Sequence, residues 1–287
     1  MPNDLLRQME EGMASFSKGQ RRIATYIMEH YEKAAYMTAA KLGEAVNVSE
    51  STVVRFATEL GFEGYPEFQR AMQGIIRNRL TAFQRIEVTN HLIGDGDVVD
   101  KILTSDADKI KHTAEELDRD AFDRAVEALL GARQIYIMGV RSSSHLAGFL
   151  DSGLRRMFDN VKVIQSTAGS EVFEQMINIG KEDVLVAISF PRYSKRVIKA
   201  VEFARRAGAD VVALTDSPES PIAPSAQQVL IAQSDMASYV DSLVAPLSLL
   251  NAIIVAVSRT NEEAVRERLQ KLERIWDEYD VYDKNQG

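Results

Sequence analysis

Residues 46–65 read VNVSESTVVRFATELGFEGY, and this stretch decides the fold of the first part of the chain. Ser49 is a good N-cap, because its hydroxyl can accept hydrogen bonds from the free N–H groups of a first helical turn. Val53, Phe56 and Leu60 recur at helical spacing, which predicts one buried stripe along the helix. The stretch therefore predicts a short capped helix whose opposite face is left for another contact.

The outward face of this helix carries small polar side chains and one arginine. A helix that enters the major groove of DNA needs short side chains near its N-terminus and an arginine that can bind guanine or phosphate. The segment from Thr38 to Val46 precedes it as the first helix of a helix-turn-helix would, and Gly61 suits the left-handed residue that ends the second helix. An arbitrary helical bundle is the alternative. We predict that three side chains face bases, Glu50, Ser51 and Arg55, and that two face phosphates, Ser49 and Thr52.

The charge of the chain argues only mildly against nucleic-acid binding. The formal net charge is −8, but residues 1–85 hold 11 Lys and Arg against 10 Asp and Glu, so this part is close to neutral. It has to gain affinity from a few phosphate contacts in each subunit and from several subunits acting together. We therefore expect a multimer on double-stranded DNA.

Length and composition set further bounds. A chain of 287 residues predicts about two domains. Cysteine is absent, which fits a reducing cytoplasm, and the first residues lack the basic start and apolar core of a signal peptide. The longest apolar run, 243–257, contains Pro246 and is shorter than the roughly 20 residues that span a bilayer. We expect a cytoplasmic protein with no membrane segment.

From Gln134 onward, short apolar runs alternate with helical segments. Such alternation predicts a parallel sheet covered by helices on both faces, with ligands bound at the carboxyl ends of the strands. The fold class predicted for the whole chain is multidomain, an all-α domain followed by an α/β three-layer parallel-sheet domain. Strands are predicted at 135–140, 161–164, 183–188, 210–215 and 229–231, and helices at 143–158, 170–178, 194–207 and 239–259.

Two of these strands end in hydroxyl-rich turns that lead into helices, Gly139 to Ser144 and Ser189 to Ser194. Free N–H groups and the dipole at a helix N-terminus favour an anion, to which hydroxyls can donate. For any single serine a plain N-cap is the commoner role. The first turn lacks the glycine triplet of a dinucleotide fingerprint. The candidate ligand-binding residues are Arg141, Ser142, Ser143, Ser189, Arg192 and Ser194.

The pattern Ser-x-x-Thr-Val-Val-Arg-Phe…Leu-Gly-Phe-x-Gly-Tyr-x-Glu-Phe, followed by a sheet with two serine loops, resembles the RpiR/MurR family of bacterial transcription regulators. That family joins an N-terminal helix-turn-helix to a sugar isomerase (SIS) domain that binds phosphosugars. The resemblance implies an operator-binding oligomer whose affinity is altered by a phosphosugar or acidic sugar effector. In its terms Ser142 and Ser143 match the serines of the first SIS loop, Ser189 the first serine of the second loop, and Ser194 its closing Ser or Thr.

The chain departs from the SIS pattern in both loops. Arg141 stands where the first loop often has its second glycine, and Pro191 and Arg192 stand where the second loop often has Ser-Gly. Two arginines beside an anion site can mean an extra carboxylate or phosphate on the ligand. They can equally mean a rebuilt pocket that no longer takes a phosphosugar.

Two other functions compete with this one. SIS folds also host phosphosugar isomerases, which need a base near the substrate carbon and often a histidine, and His145 and Glu171 lie near predicted strand ends. The attached helix-turn-helix argues against an enzyme, and we predict none. A DNA-binding protein without a ligand response is the other alternative, against which the two serine loops speak. No His, Asp and Glu cluster has metal-ligand spacing, so neither a metal nor another cofactor is expected.

The sequence thus divides into four parts. They are a helix-turn-helix DNA-binding domain at 1–80, linker helices at 81–125, a SIS domain at 126–260, and a C-terminal helix and tail at 261–287.

Overall fold

The computed structural model describes residues 4–76, 81–94, 96–165, 169–236 and 238–282. Contacts within the chain divide it into two compact units. The helical unit comprises Met1–Lys101 together with Met236–Asp241, and the sheet unit comprises Ile102–Asp235 and Ser242–Gly287. The division falls inside the helix that begins at Val98.

The helical unit consists of short helices joined by tight turns. Their bounds are α1 (Asp4–Gly12), α2 (Lys18–Glu29), α3 (Tyr31–Ala34), α4 (Ala39–Val46), α5 (Glu50–Glu59), α6 (Tyr65–Ile76), α7 (Ala82–Ile93) and the first residues of α8 (Val98–Glu116). The all-α first domain and its two central helices, predicted after Thr38 and Ser49, are confirmed. Serine and threonine caps explain where these helices begin, because Ser17, Thr38, Ser49 and Thr81 each accept a hydrogen bond from a first-turn N–H group.

An aromatic cluster forms the centre of the helical unit. Phe56 is fully buried, and its ring centroid lies 5.2 Å from that of Phe16 and 5.9 Å from that of Phe68, both edge-on. Val53 is also fully buried, whereas Leu60, predicted in the same stripe, is only half-buried because α5 ends at Glu59. Burial of a large apolar side chain stabilises a fold by about 1.5–3 kcal/mol, so these contacts fix which face of α5 points outward.

The sheet unit is a doubly wound parallel sheet. Its strands are β1 (Gln134–Gly139), β2 (Val161–Val163), β3 (Asp183–Ile188), β4 (Asp210–Thr215) and β5 (Gln228–Ile231), all parallel in the order β2-β1-β3-β4-β5. Its helices beyond α8 are α9 (Arg119–Gly131), α10 (Ser143–Leu154), α11 (Gly169–Gln175), α12 (Lys195–Ala207), α13 (Val244–Thr260) and α14 (Glu262–Glu278). The predicted α/β three-layer class is confirmed.

Alternate strand residues serve two separate cores. Ile135 and Ile137 point to one face, where α9, α10 and α13 contribute to the core. Tyr136 and Met138 point to the other face, which is covered by α11 and α12. The strands are therefore buried on both sides, as parallel strands require, and their carboxyl ends are left as the accessible edge.

The last predicted helix begins later than expected. The prediction was 239–259, but α13 starts at Val244. Residues 236–241 belong to the helical unit, where Met236 and Asp241 form an antiparallel bridge and Asp241 pairs with Arg85. An ion pair with a distant residue overrides local helical spacing here.

Among the described residues no single helix has both the length and the apolar composition to cross a bilayer, although the bent pair Val244–Thr260 and Val265–Glu278 meets that test jointly.

Candidate DNA-binding and ligand-binding sites

The turn between α4 and α5 is tight because of two backbone positions. Asn47 has a φ of 53°, a left-handed conformation that Asn tolerates better than most residues. The amide of Val48 donates to the carbonyl oxygen of Gly43 at 2.9 Å. A Cβ at Gly43 would lie 2.8 Å from the carbonyl oxygen of Val48, so glycine is needed where the two helices approach. This is the geometry of a helix-turn-helix.

A hydroxyl cluster surrounds the N-terminus of α5. Ser49 Oγ accepts from the amide of Thr52 at 3.3 Å, and lies 2.8 Å from Thr52 Oγ1 and 2.9 Å from Ser51 Oγ. The predicted N-cap role of Ser49 is confirmed. The three hydroxyls and the free amides of the first turn form a donor-rich end suited to phosphate oxygens.

The α5 side chains predicted to face outward are exposed or partly exposed. Ser51, Arg55 and Thr58 are exposed, and Arg55 Nε donates to the carbonyl oxygen of Ser51 at 3.3 Å. Val54 is 37% exposed on the same face and was not among the predicted contact residues. An apolar side chain can contact the C5-methyl of thymine, so Val54 is a further candidate contact residue, indicated by its apolar exposure between polar positions.

Basic side chains flank this face. Arg22 Nη1 donates to the carbonyl oxygen of Asn47 at 3.3 Å, which holds a cation at the turn before α5. Lys18, Arg21 and Lys41 are also exposed in the helical unit. Glu50 on α5 is also exposed, and its carboxylate would repel a phosphate backbone.

The carboxyl edge of the sheet brings the two predicted loops together. Gly139, the last residue of β1, pairs in register with Ile188, the last residue of β3. The loops that follow therefore start at the same level on neighbouring strands. The strand order reverses between β1 and β3, since β1 leads to β2 on one side and the chain then crosses to β3 on the other. Ligands of open α/β sheets bind at such a switch point.

A cavity of about 570 Å³ opens beside the first loop. Arg141, predicted as a ligand residue, lines it, and so does Ser144. Ser142 and Ser143 are not among its described lining residues, and Ser143 is buried. The described lining consists of Met138, Gly139, Val140, Arg141, Ser144, Gly148, Val163, Ile164, Gln165 and Glu171.

Ser142 differs from the other serines at helix starts. It is exposed and stands at the N-cap of α10, but within the described residues its side chain makes no capping hydrogen bond. By contrast, Ser194 in the second loop caps α12 by accepting from the amide of Arg196 at 3.3 Å. Ser194 thus has the plain capping role that is commonest for serine, while the hydroxyl of Ser142 remains at a helix N-terminus without that role.

The second loop forms hydrogen bonds with the end of β4 and the residue that follows it. Ser189 is buried, and its amide donates to the carbonyl oxygen of Leu214 at 3.1 Å. Tyr193 Oη donates to Asp216 Oδ1 at 2.8 Å. The described lining of the cavity does not include Ser189, Arg192 or Ser194.

Both loop arginines adopt left-handed backbone conformations. The φ angles are 57° at Arg141 and 61° at Arg192. This conformation costs an L-residue other than glycine about 1–2 kcal/mol. The two loops therefore keep a backbone shape that suits glycine while presenting a guanidinium at each position.

Acidic and histidine side chains do not gather into a metal site in the part of the chain that the structure describes.

Comparison with known proteins assigns both halves of the chain. The helix-turn-helix domain of the rpiR family matches residues 3–79, and the SIS domain matches residues 128–256. A helix-turn-helix joined to a SIS domain defines a class of DNA-binding transcription regulators. The chain belongs to the rpiR family of these regulators.

Relatives and solved structures agree with this assignment. An uncharacterized HTH-type transcriptional regulator of Caldanaerobacter subterraneus is 26% identical over 282 residues, covering 95% of this chain and 96% of the relative. The HTH-type transcriptional regulator HexR of Pseudomonas aeruginosa is 28% identical over 223 residues, covering 77% and 75%. The structure of the Vibrio vulnificus NanR protein complexed with ManNAc-6P has a TM-score of 0.59 at 24% identity, covering 96% of this chain and 98% of that one, and shows the same fold.

Proposed function

We propose that this regulator changes its operator affinity when a phosphosugar or related anionic sugar metabolite binds at the carboxyl edge of the sheet. The observation that carries the proposal is the cavity at that edge, which is lined by Arg141 and Ser144. It adjoins the N-terminus of α10, where, among the described residues, the hydroxyl of Ser142 makes no capping hydrogen bond. The NanR structure of the same fold is described as a complex with a sugar phosphate. Such a regulator acts in the cytoplasm, where the DNA lies.

At the DNA we propose the division of labour that the exposed face of α5 supports. Glu50, Ser51 and Arg55 contact base edges, and the hydroxyls of Ser49 and Thr52 contact phosphates. Because Ser49 and Thr52 bond to each other in the free protein, their hydroxyl protons must reorient when a phosphate arrives. Residues 1–85 are close to neutral, so we propose that the chain binds paired half-sites as a homodimer or homotetramer.

At the sheet we propose that the first loop binds the phosphate. The hydroxyl of Ser142 donates to it, with Ser143 and Ser189 as supporting residues of the two loops. Ser194 fixes the second loop by capping α12. The guanidiniums of Arg141 and Arg192 bind a second acidic group, a carboxylate or phosphate, since planar guanidiniums suit such groups. The strained backbone at both arginines supports a role that outweighs the cost of the conformation.

Calorimetric titration of the full chain tests the ligand. The panel is glucose 6-phosphate, N-acetylmannosamine 6-phosphate, gluconate 6-phosphate and the same sugars without phosphate. We expect the phosphorylated compounds to bind, and gluconate 6-phosphate to bind most tightly because it alone adds a carboxylate. Tight binding of uncharged sugars alone would contradict the proposal.

A double variant tests the loops. Ser142→Ala with Ser189→Ala should abolish the binding of panel sugars and leave operator affinity unchanged. Ser152→Ala is the matched control, because Ser152 is exposed near the other end of α10. Loss of operator binding in a well-folded double variant would contradict the division between the two sites.

We also propose that the chain is not a catalyst. His145 and Glu171 are exposed, and the relatives are named transcriptional regulators. Incubation of the panel sugars with the chain, followed by NMR, should show no aldose–ketose conversion. Turnover that disappears in His145→Ala or Glu171→Gln would instead establish an isomerase.

A further inference from the structure

Residues 236–241, called the strap below, belong neither to the described lining of the cavity nor to the helix-turn-helix. The strap lies in sequence between β5 and α13 of the sheet unit, yet its contacts place it in the helical unit. The chain therefore passes from one unit to the other at 101/102, 235/236 and 241/242. A segment that leaves a unit and returns to it after six residues needs strong anchors at both ends.

The described anchors in the helical unit include an ion pair and an apolar contact. Arg85 on α7 is completely buried, and its Nη1 lies 2.9 Å from Asp241 Oδ1. A buried guanidinium needs its counter-ion, because an uncompensated buried charge is strongly unfavourable. Met236, at the other end of the strap, packs against the core that contains Phe56 and Phe68. The strap is thus fixed to the same core that orients α5.

Residues 234, 235 and 242, called the base of the strap below, belong to the sheet unit and are joined by hydrogen bonds. The amide of Ser242 donates to the carbonyl oxygen of Asp235 at 2.9 Å, and Ser234 Oγ donates to the carbonyl oxygen of Ser242 at 3.0 Å. Ser242 Oγ donates to Asp106 Oδ1 on α8 at 2.7 Å. Lys109 Nζ, also buried, lies 3.3 Å from the same carboxylate oxygen. The base is therefore a polar junction in which Ser234, Ser242 and Lys109 are buried.

Hydrogen bonds link this base to the second ligand loop. Tyr193 in that loop donates to Asp216, which directly follows β4. The carbonyl oxygen of Thr215, the last residue of β4, accepts from the amide of Ala232 at 2.8 Å. Two residues further on, Ser234 joins the base of the strap. These hydrogen bonds join neighbouring segments at the carboxyl edge of the sheet. A movement of the second loop can therefore displace the strap through the end of β4 and the residues after β5.

We infer that the strap is the coupling element of the regulator: it transmits occupancy of the sheet-edge site to the helical unit through the Arg85–Asp241 ion pair. This inference rests on the proposed function, because it names the regulation of the same site. Arg85 and Asp241 act as positioning residues that touch neither DNA nor ligand. Allosteric coupling between two sites typically changes affinity by about 5–150-fold, and the strap is the segment that carries this change.

The test compares operator affinity with and without each saturating panel sugar, in the full-length wild type and in Asp241→Asn. Operator DNA is first selected in vitro from a random library with the wild-type chain. In Asp241→Asn we expect calorimetric binding of the sugar and operator affinity in its absence to stay within twofold of wild type. The sugar-induced change in operator Kd should fall below twofold. Asp100→Asn is the control, since it removes an exposed carboxylate from the helical unit and should keep the full response.

Two further measurements test the inference even if Asp241→Asn does not fold. Ser242→Ala removes the hydrogen bonds of Ser242 Oγ with Asp106 and with the amide of Val244 and keeps the buried ion pair, and it should reduce the response in the same direction. In the wild type itself, hydrogen exchange at 232–243 and in α7 should change when gluconate 6-phosphate binds. Unchanged exchange in both segments, despite a changed operator Kd, would overturn the inference.

The outcomes separate the two proposals. A wild type whose operator Kd does not respond to any panel sugar contradicts the proposed function, and the role of the strap with it. A responsive wild type with an equally responsive Asp241→Asn contradicts the strap alone.

Discussion

Arg55 is the residue that decides whether α5 reads DNA. It is exposed on the face opposite Val53 and Phe56, and its Nε donates to the carbonyl oxygen of Ser51. Arg55→Ala should weaken binding to the selected operator by about 1–3 kcal/mol and relax its sequence preference. Fluorescence anisotropy with operator and scrambled DNA measures both effects. Arg156→Ala, an exposed arginine of the sheet unit, is the control, and unchanged operator affinity in Arg55→Ala would count against the docking.

Two substitutions of Arg141 should differ in stability while they lose ligand affinity equally. Gly is favoured over Ala at its φ of 57°, so Arg141→Gly should be more stable than Arg141→Ala by about 1 kcal/mol in thermal unfolding without ligand. Both variants should lose about 1.5–3 kcal/mol of affinity for gluconate 6-phosphate, the value of a charge-assisted hydrogen bond. If both bind this ligand as the wild type does, the proposed contact with its second acidic group is wrong.

For single residues, the sequence predicted roles that depend on local spacing better than roles that depend on the surrounding side chains. It identified Ser49 as a cap and the exposed Arg55, because both follow from local spacing. It did not distinguish Ser142 from Ser194, since whether a hydroxyl caps its own helix depends on side-chain placement. It also missed Val54, because an exposed apolar residue in an amphipathic helix has the same local pattern as a buried one.

Among the elements, the turn between α4 and α5 carries the sharpest constraint. Gly43→Ala would place a Cβ against the backbone carbonyl of Val48, and overpacking of this kind costs about 1–3 kcal/mol. The better helix propensity of alanine, about 1 kcal/mol, offsets only part of it. We expect a net loss of stability in chemical denaturation.

Gly74 in α6 is the matched control for Gly43. A Cβ there would meet nothing within 4 Å, so Gly74→Ala should stabilise the protein by up to about 1 kcal/mol. Equal effects of the two substitutions would show that the close approach at the turn is not what glycine is needed for.

The strands and most helices were predictable at this scale because their signals are local. Apolar runs of three to six residues predicted all five strands within about one residue at either end. The start of α13 was not predictable. Apolar spacing continues through Tyr239 and Val240, but these residues belong to the strap, whose position is set by Arg85, distant in sequence.

For the whole molecule, the sequence predicted a regulator with two domains. It did not predict that a segment within the sequence of the second domain belongs to the first. The helical unit takes six residues from between β5 and α13. A buried pair between α7 and a segment more than 150 residues away leaves no periodic signal, since each partner alone has the pattern of a surface charge. Such non-local pairs are where a regulator of this kind can couple its two sites.

The central claim is that one chain joins operator binding to the binding of an anionic sugar. Its most direct test is the operator Kd of the full-length wild type, measured by anisotropy with and without a panel sugar that calorimetry shows to be bound. We predict a change of about 5–150-fold in either direction. An operator Kd that stays the same while the sugar is bound would contradict the account.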